Sequence, residues 1–158
     1  MTVFLESSTD YLQKFDQIQL ENIALATLKH QGIPADTDLT IVIADDARLQ
    51  QLNRDFLGND KSTDVLSFPA GHVDPDTKRI YLGDVIISFP SARRQAGEAR
   101  HAVSSEIYLL VVHGILHLLG HDHMQPEEKS KMWLAQNEIL ESFGVDIKSP
   151  EFSTESEA

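Results

Sequence analysis

Residues 113 to 123 read HGILHLLGHDH and hold four of the chain's seven histidines. His113 and His117 are four positions apart, which on a helix stacks them on one face. Two imidazoles so placed can reach a single metal ion at about 2.0–2.1 Å. Gly120 is suited to end that helix in a left-handed conformation and turn the chain back. His123 then returns as a third nitrogen, giving the spacing His-x3-His-x5-His. His121 is an alternative third ligand, but a histidine there would continue the helix that Gly120 interrupts, so His123 is preferred. A lone histidine on an apolar face is ordinarily a core or partly exposed residue with a satisfied hydrogen bond. Three at ligand spacing differ, because buried unpaired imidazoles are costly and one shared divalent ion satisfies them all. Three nitrogens without a thiolate suit a catalytic ion with a fourth position left for water or substrate. Zinc is the default expectation, and imidazole sites also accept nickel and copper.

Zinc proteases of the HExxHxxGxxH pattern share this ligand spacing, with a glutamate beside the first histidine as general base. Here that position is Gly114, so a peptidase reading loses its main catalytic group. Asp122 is placed either to orient a ligand or to cap the next helix. Beyond Asp122 and His121 the segment offers no general base.

The elements that must hold these groups follow from periodicity. Leu20, Ile23, Ala24, Thr27 and Leu28 fall on one face of a helix over residues 19–31, stopped by Gly32 and Pro34. DLTIVIADD (38–46) reads as a buried strand, and Asp45 or Asp46 caps a second helix that turns Leu49, Leu52 and Phe56 inward and ends near Gly58. DVLSFP (64–69) is a short strand stopped by Pro69, and GHVDPDTKR (71–79) has the composition of a loop or hairpin connection. RIYLGDVIIS (79–88) is a further strand, weakened or bulged at Gly83. A polar helix over 91–101 precedes the most apolar helix of the chain, about 104–119, which belongs at the centre of the core. Pro126 opens a last helix with Met132, Ile139, Leu140 and Phe143 inward and Gly144 at its C-cap. The pattern predicts an α+β fold: a small mixed β-sheet covered mainly on one face by helices, the central apolar helix carrying the histidines. Residues 1–145 form a single domain, and 146–158 a polar, disordered tail.

A chain of 158 residues can bury a core without staples, and with no cysteines it has no disulfide, thiolate ligand or cysteine nucleophile. The N-terminus lacks the basic and apolar stretches of a secretory signal, and the run IYLLVVHGILHLLG is too short for a membrane span. A soluble, cytoplasmic protein without a membrane partner is expected. The net charge of −12 opposes non-specific attraction to phosphate backbones, although a local basic groove remains compatible with it.

Taken with TDVLSFP (63–69) and LGDVIIS (82–88), the histidine segment resembles the YbeY family of bacterial metal-dependent endoribonucleases, over roughly residues 15 to 145. The resemblance implies His113, His117 and His123 as the metal ligands, agreeing with the spacing. It implies single-stranded ribosomal RNA as substrate, cut in small-subunit maturation and ribosome quality control. Small-subunit ribosomal proteins or an Era-like GTPase are the implied partners. The family carries an arginine just before the glycine that leads into TDVLSFP, where this chain has Leu57. Arg54, one helical turn earlier, either reaches the same space or is an ordinary exposed helix residue. His121 replaces the family's tyrosine before the final Asp-His pair.

Phosphodiester cleavage needs stabilisation of charge on the phosphate oxygens, and Arg54, Lys61, Arg93, Arg94 and Arg100 are the cations to consider. A solvated helix face is the competing role for Arg93, Arg94 and Arg100. Thr63, Asp64 and Ser67 either line the pocket and bond substrate or only cap the strand. The nucleophile is either a metal-activated water or the ribose 2′-hydroxyl. The rival from another class is a non-catalytic ribosome-assembly factor that binds RNA or protein and holds a structural metal. Ordinary histidine ligands predict loss of metal and activity on acidification toward about pH 5.

Overall fold

The computed structural model describes residues 1–7, 9–145 and 147. Its strands β1 (Thr2–Ser7), β2 (Thr37–Ala44), β3 (Val65–Val73) and β4 (Ile80–Ser88) form one mixed sheet in the order β1-β2-β4-β3. β1 and β4 both run parallel to β2, and β3 is antiparallel to β4. The helices are α1 (Gln17–His30), α2 (Asp46–Leu57), α3 (Phe89–Ala99), α4 (Val103–Leu118) and α5 (Pro126–Ser142).

β2 is buried or half-buried at every position, with an apolar run from Ile41 to Ala44, because a central strand with parallel neighbours is covered on both faces. Leu39, Ile41 and Ile43 enter the main core, while Val42 and Ala44 point to the other side. That main core lies under α1, α4 and α5, with α4 at its centre against both β3 and β4. The opposite face holds a smaller cluster in which Leu49 and Leu52 of α2 meet Leu66, Phe68 and Ile86. Helical cover is therefore mainly on one face, with α2 as a thin second layer.

Local chemistry sets the boundaries that position the site. The Asp45 carboxylate accepts from the backbone N–H of Arg48 at 2.8 Å and is the cap of α2, whereas Asp46 binds the hydroxyls of Ser88 and Ser91. α4 ends in a turn where the N–H of His121 reaches back to the carbonyl of Leu116 at 3.0 Å and Gly120 takes a φ of 96°. This 6→1 closure satisfies the last carbonyls and redirects the chain toward His123.

Four expectations change, the first being Phe56, which was expected inward on α2 and is 69% exposed. β1 pairs in parallel along β2 and was not anticipated, because a parallel partner leaves no local signal. β3 continues through Pro69 to Val73, since a register shift between Pro69 and His72 removes the need for the missing proline N–H. Gly83 faces that irregularity with a φ of 142°, and a Cβ there would overlap the Phe68 carbonyl oxygen. α3 begins at Phe89 rather than 91, capped by Ser88 whose Oγ accepts from Ser91 N–H at 3.2 Å. The expected tail, 146–158, lies outside the described residues except for Ile147, which is 7% exposed against the main core. No single helix among the described residues is long and apolar enough to cross a membrane.

Candidate metal centre

α4 presents His113 and His117, and the turn after it returns His123. One ring nitrogen from each lies within 4.8 Å of the other two. Small rotations from that spacing bring three nitrogens onto one ion at about 2.0–2.1 Å. Nδ1–H of His113 donates to Oε1 of Gln136 on α5 at 2.8 Å, which leaves the Nε2 lone pair of that ring for a ligand bond. The indole of Trp133 lies beside both His113 and His123, with ring centroids 5.8 and 5.7 Å away, and closes the α5 side. Asp122 accepts from the backbone N–H of His123 at 2.7 Å and so shapes the returning turn. His121 points elsewhere: its Nε2–H donates to Gln31 Oε1 at 2.7 Å, at the end of α1.

Loss of solvent around His113 pushes its pKa down to about 3, reinforced by His117 and His123 and opposed by the Gln136 bond. Desolvation, followed by His123, also lowers His117. Both rings are therefore neutral near pH 7, the state in which imidazole binds metal. The donor set fits a divalent cation.

Gly114 sits between the two helix histidines and against the sheet. A Cβ at this position would stand 2.5 Å from Cγ1 of Val85. The general-base glutamate of zinc proteases has no room there. Ser67 Oγ donates to the Gly114 carbonyl at 2.8 Å and ties β3 to this close approach.

His113 and His123 border an open groove of ≈ 1050 Å³. Glu106, Leu110 and His113 line it from α4, and Lys61, Thr63 and Asp64 from the segment entering β3. A smaller cavity of ≈ 200 Å³ lies between β3 and the helix histidines, and Ser67 lines it. His113 faces both spaces. Lys61 is the single lysine or arginine lining the groove among the described residues. Asp64 is held by Gln95 Nε2 at 3.0 Å.

The other candidate cations lie apart from the groove. Arg54 is exposed and pairs with Asp55 at 3.1 Å and Asp60 at 4.0 Å, while its neighbours Asn53 and Leu57 line the groove. Arg93 stands over the Phe89 ring at 5.0 Å, and Arg94 bonds Asp46 at 3.0 Å. Arg100 is the left-handed residue that ends α3. Sequence reasoning missed Gln136 and Trp133. A glutamine in line with Met132, Ile139 and Leu140 on an apolar helical face was the available signal, because a polar group on a core stripe needs a buried partner.

An α+β fold whose core helix and following turn cluster three histidines beside a groove has the form of a small metal-type hydrolase. A family model described as Endoribonuclease YbeY matches residues 5–144. Curated proteins called endoribonuclease YbeY are similar along most of the chain. That of Heliobacterium modesticaldum is 39% identical over 139 residues, 82% of this chain and 84% of that protein. That of Acetivibrio thermocellus is 33% identical over 160 residues, covering 92% and 99%. The chain belongs to the endoribonuclease YbeY family. The solution structure of TM1509 from Thermotoga maritima shares the fold, with a TM-score of 0.57, 21% identity and 99% of each chain covered.

Proposed function

We propose that this protein is a zinc-dependent endoribonuclease that cuts single-stranded ribosomal RNA in small-subunit maturation and ribosome quality control. One observation carries the reading: three ring nitrogens lie within 4.8 Å of one another, two of them on rings that line an open groove, in a chain of an endoribonuclease family. His113, His117 and His123 are the ligands, and an all-imidazole set without thiolate favours zinc. Bound there, a divalent cation supplies Lewis-acid polarisation of a phosphate oxygen and offsets the charge that develops in phosphodiester cleavage.

The chain's own groups do the rest. Gln136 fixes the His113 ring, and Trp133 shields one side of the trio from water. Lys61 binds a phosphate oxygen and takes the place of the arginine replaced by Leu57, because it lines the groove and Arg54 does not. Thr63 and Asp64 hydrogen-bond the strand along the same bank, and Ser67 holds β3 against Gly114. Arg93 and Arg94, engaged with Phe89 and Asp46, hold α3 in place. Leu57, Leu110 and Trp133 give the groove apolar faces for splayed bases, which a single strand offers and a duplex does not.

A net charge of −12 makes the protein a poor general binder of RNA. Delivery by a partner, a small-subunit ribosomal protein or an Era-like GTPase, in the cytoplasm fits that balance. The test is cleavage of a single-stranded fragment from the end of small-subunit ribosomal RNA, with metal removed by chelation and then restored. Cutting that stops with the chelator and returns with zinc supports the reading. RNA binding without cutting under every condition supports instead an assembly factor with a structural ion.

A further inference from the structure

About two turns of α4 before His113, a second pair of titratable groups lines the same groove. Glu106 is 6% exposed, and its Oε1 accepts from Nε2–H of His101 at 2.6 Å. A carboxylate this buried requires a partner, and His101 is the one side chain that supplies it among the described residues. The bond fixes a proton on Nε2 and leaves Nδ1 as the polar atom of the ring without a protein partner among those residues.

The position of the pair limits its chemistry. The helix rises about 10 Å between Glu106 and His113, whereas proton transfer needs heavy atoms within about 3 Å. His101 therefore cannot serve a phosphate held at the histidine trio. It can meet a neighbouring nucleotide of the same strand. A phosphate would be a poor match beside His101, where the carboxylates of Glu98 and Glu106 line the groove. A ribose 2′-hydroxyl both donates and accepts, so it satisfies Nδ1 with or without a proton on that atom.

We propose that His101, held by the buried carboxylate of Glu106, is a specificity-determining residue whose Nδ1 hydrogen-bonds the 2′-hydroxyl of a nucleotide flanking the scissile phosphate. This rests on RNA being the strand in the groove. The pair also braces the start of α4, because Ala102 at the N-cap offers no side-chain bond. The variant His101→Gln separates the two roles: its amide nitrogen can keep the bond to Glu106, while its amide oxygen, on a freely rotating chain, is no longer held at the fixed position of the ring Nδ1.

The experiment measures affinity of the full chain, wild type and His101→Gln, for short single-stranded RNAs carrying one 2′-deoxy nucleotide walked along the sequence. Affinity is read at 4 °C before measurable cleavage, and cutting is scored separately. The wild type is expected to lose about tenfold at one position, the worth of one hydrogen bond. His101→Gln should bind the all-RNA strand about tenfold more weakly, be indifferent to the deoxy substitution there and melt at the wild-type temperature. Positional sensitivity that persists in His101→Gln overturns the inference, as does unchanged binding of all-RNA by that variant. A loss equal at every position and steeply salt-dependent also overturns it and points to a phosphate contact. Cutting by a wild type without a His101-dependent position refutes this inference alone; a His101-dependent position without cutting refutes the nuclease reading alone.

Discussion

Nδ1–H of His113, on α4, donates to Oε1 of Gln136, on α5, at 2.8 Å, so one helix orients a ligand that another presents. Bonds of this kind set the tautomer and aim of a ligating imidazole, and losing one costs about 10–100-fold in metal affinity. Gln136→Leu keeps most of the side-chain volume and removes the acceptor. Zinc titration of this variant near pH 7.5 should show a loss in that range. Unchanged affinity would mean that the ring is oriented by something else.

Gly114 is the closest approach of α4 to the sheet, with room for hydrogen only beside Val85. Gly114→Ala should destabilise the fold by about 1–3 kcal/mol, the usual cost of overpacking a tight core. Urea unfolding measures this directly. A variant as stable as the wild type would show that Val85 and Val65 yield without cost.

Acid should act on the metal-free protein through the buried rings. Burial lowers the pKa of His113 to about 3 and moves His117 in the same direction. The unfolded chain takes up these protons near pH 6.5, while the folded one does not. The His113 contribution to stability is therefore fully present above about pH 6.5 and is lost progressively as the pH falls toward 3, and that of His117 is lost in the same direction. His113 alone gives a slope of up to about 1.4 kcal/mol per pH unit across that window. Denaturant midpoints of chelated protein between pH 7 and 4 should follow this trend, and a flat profile contradicts it.

The same burial shifts the expected loss of metal to lower pH than ordinary histidines would give. His113 stays neutral at pH 5 and burial favours the neutral form of His117 as well, so equilibrium dialysis should show the ion held to lower pH than ordinary histidines would allow. Half-loss near pH 6 would show that the helix ligands titrate as if exposed.

Lys61 and Arg54 should part company in salt-dependent binding. Lys61→Ala should weaken binding of single-stranded RNA and reduce the salt slope by about one phosphate contact. Arg54→Ala should leave both nearly unchanged, since Arg54 faces Asp55 and Asp60 away from the groove. The reverse pattern would return the missing arginine's role to Arg54.

The histidine trio was legible because helical spacing and a turn glycine are local signals, and the structure brings the same three rings together. α4, α5 and the central strands were legible for the same reason, since their apolar periods are long. What escaped depends on distant partners. β1 is a strand because β2 lies beside it, and Pro69 is tolerated because the register shift between Pro69 and His72 removes the need for an N–H there. Gln136 and Glu106 stood out only as polar side chains on apolar helices, because their roles depend on the groups they meet in the fold. The groove between α4 and the segment entering β3 joins residues dozens of positions apart, so no motif announces it.

The most direct test of the central claim is one preparation of wild type and His117→Ala, each measured for bound metal and for cleavage of the same single-stranded ribosomal RNA fragment. The account predicts about one metal per wild-type chain together with cutting, and loss of both in His117→Ala. A variant that has lost the metal and still cuts at the wild-type rate would contradict it.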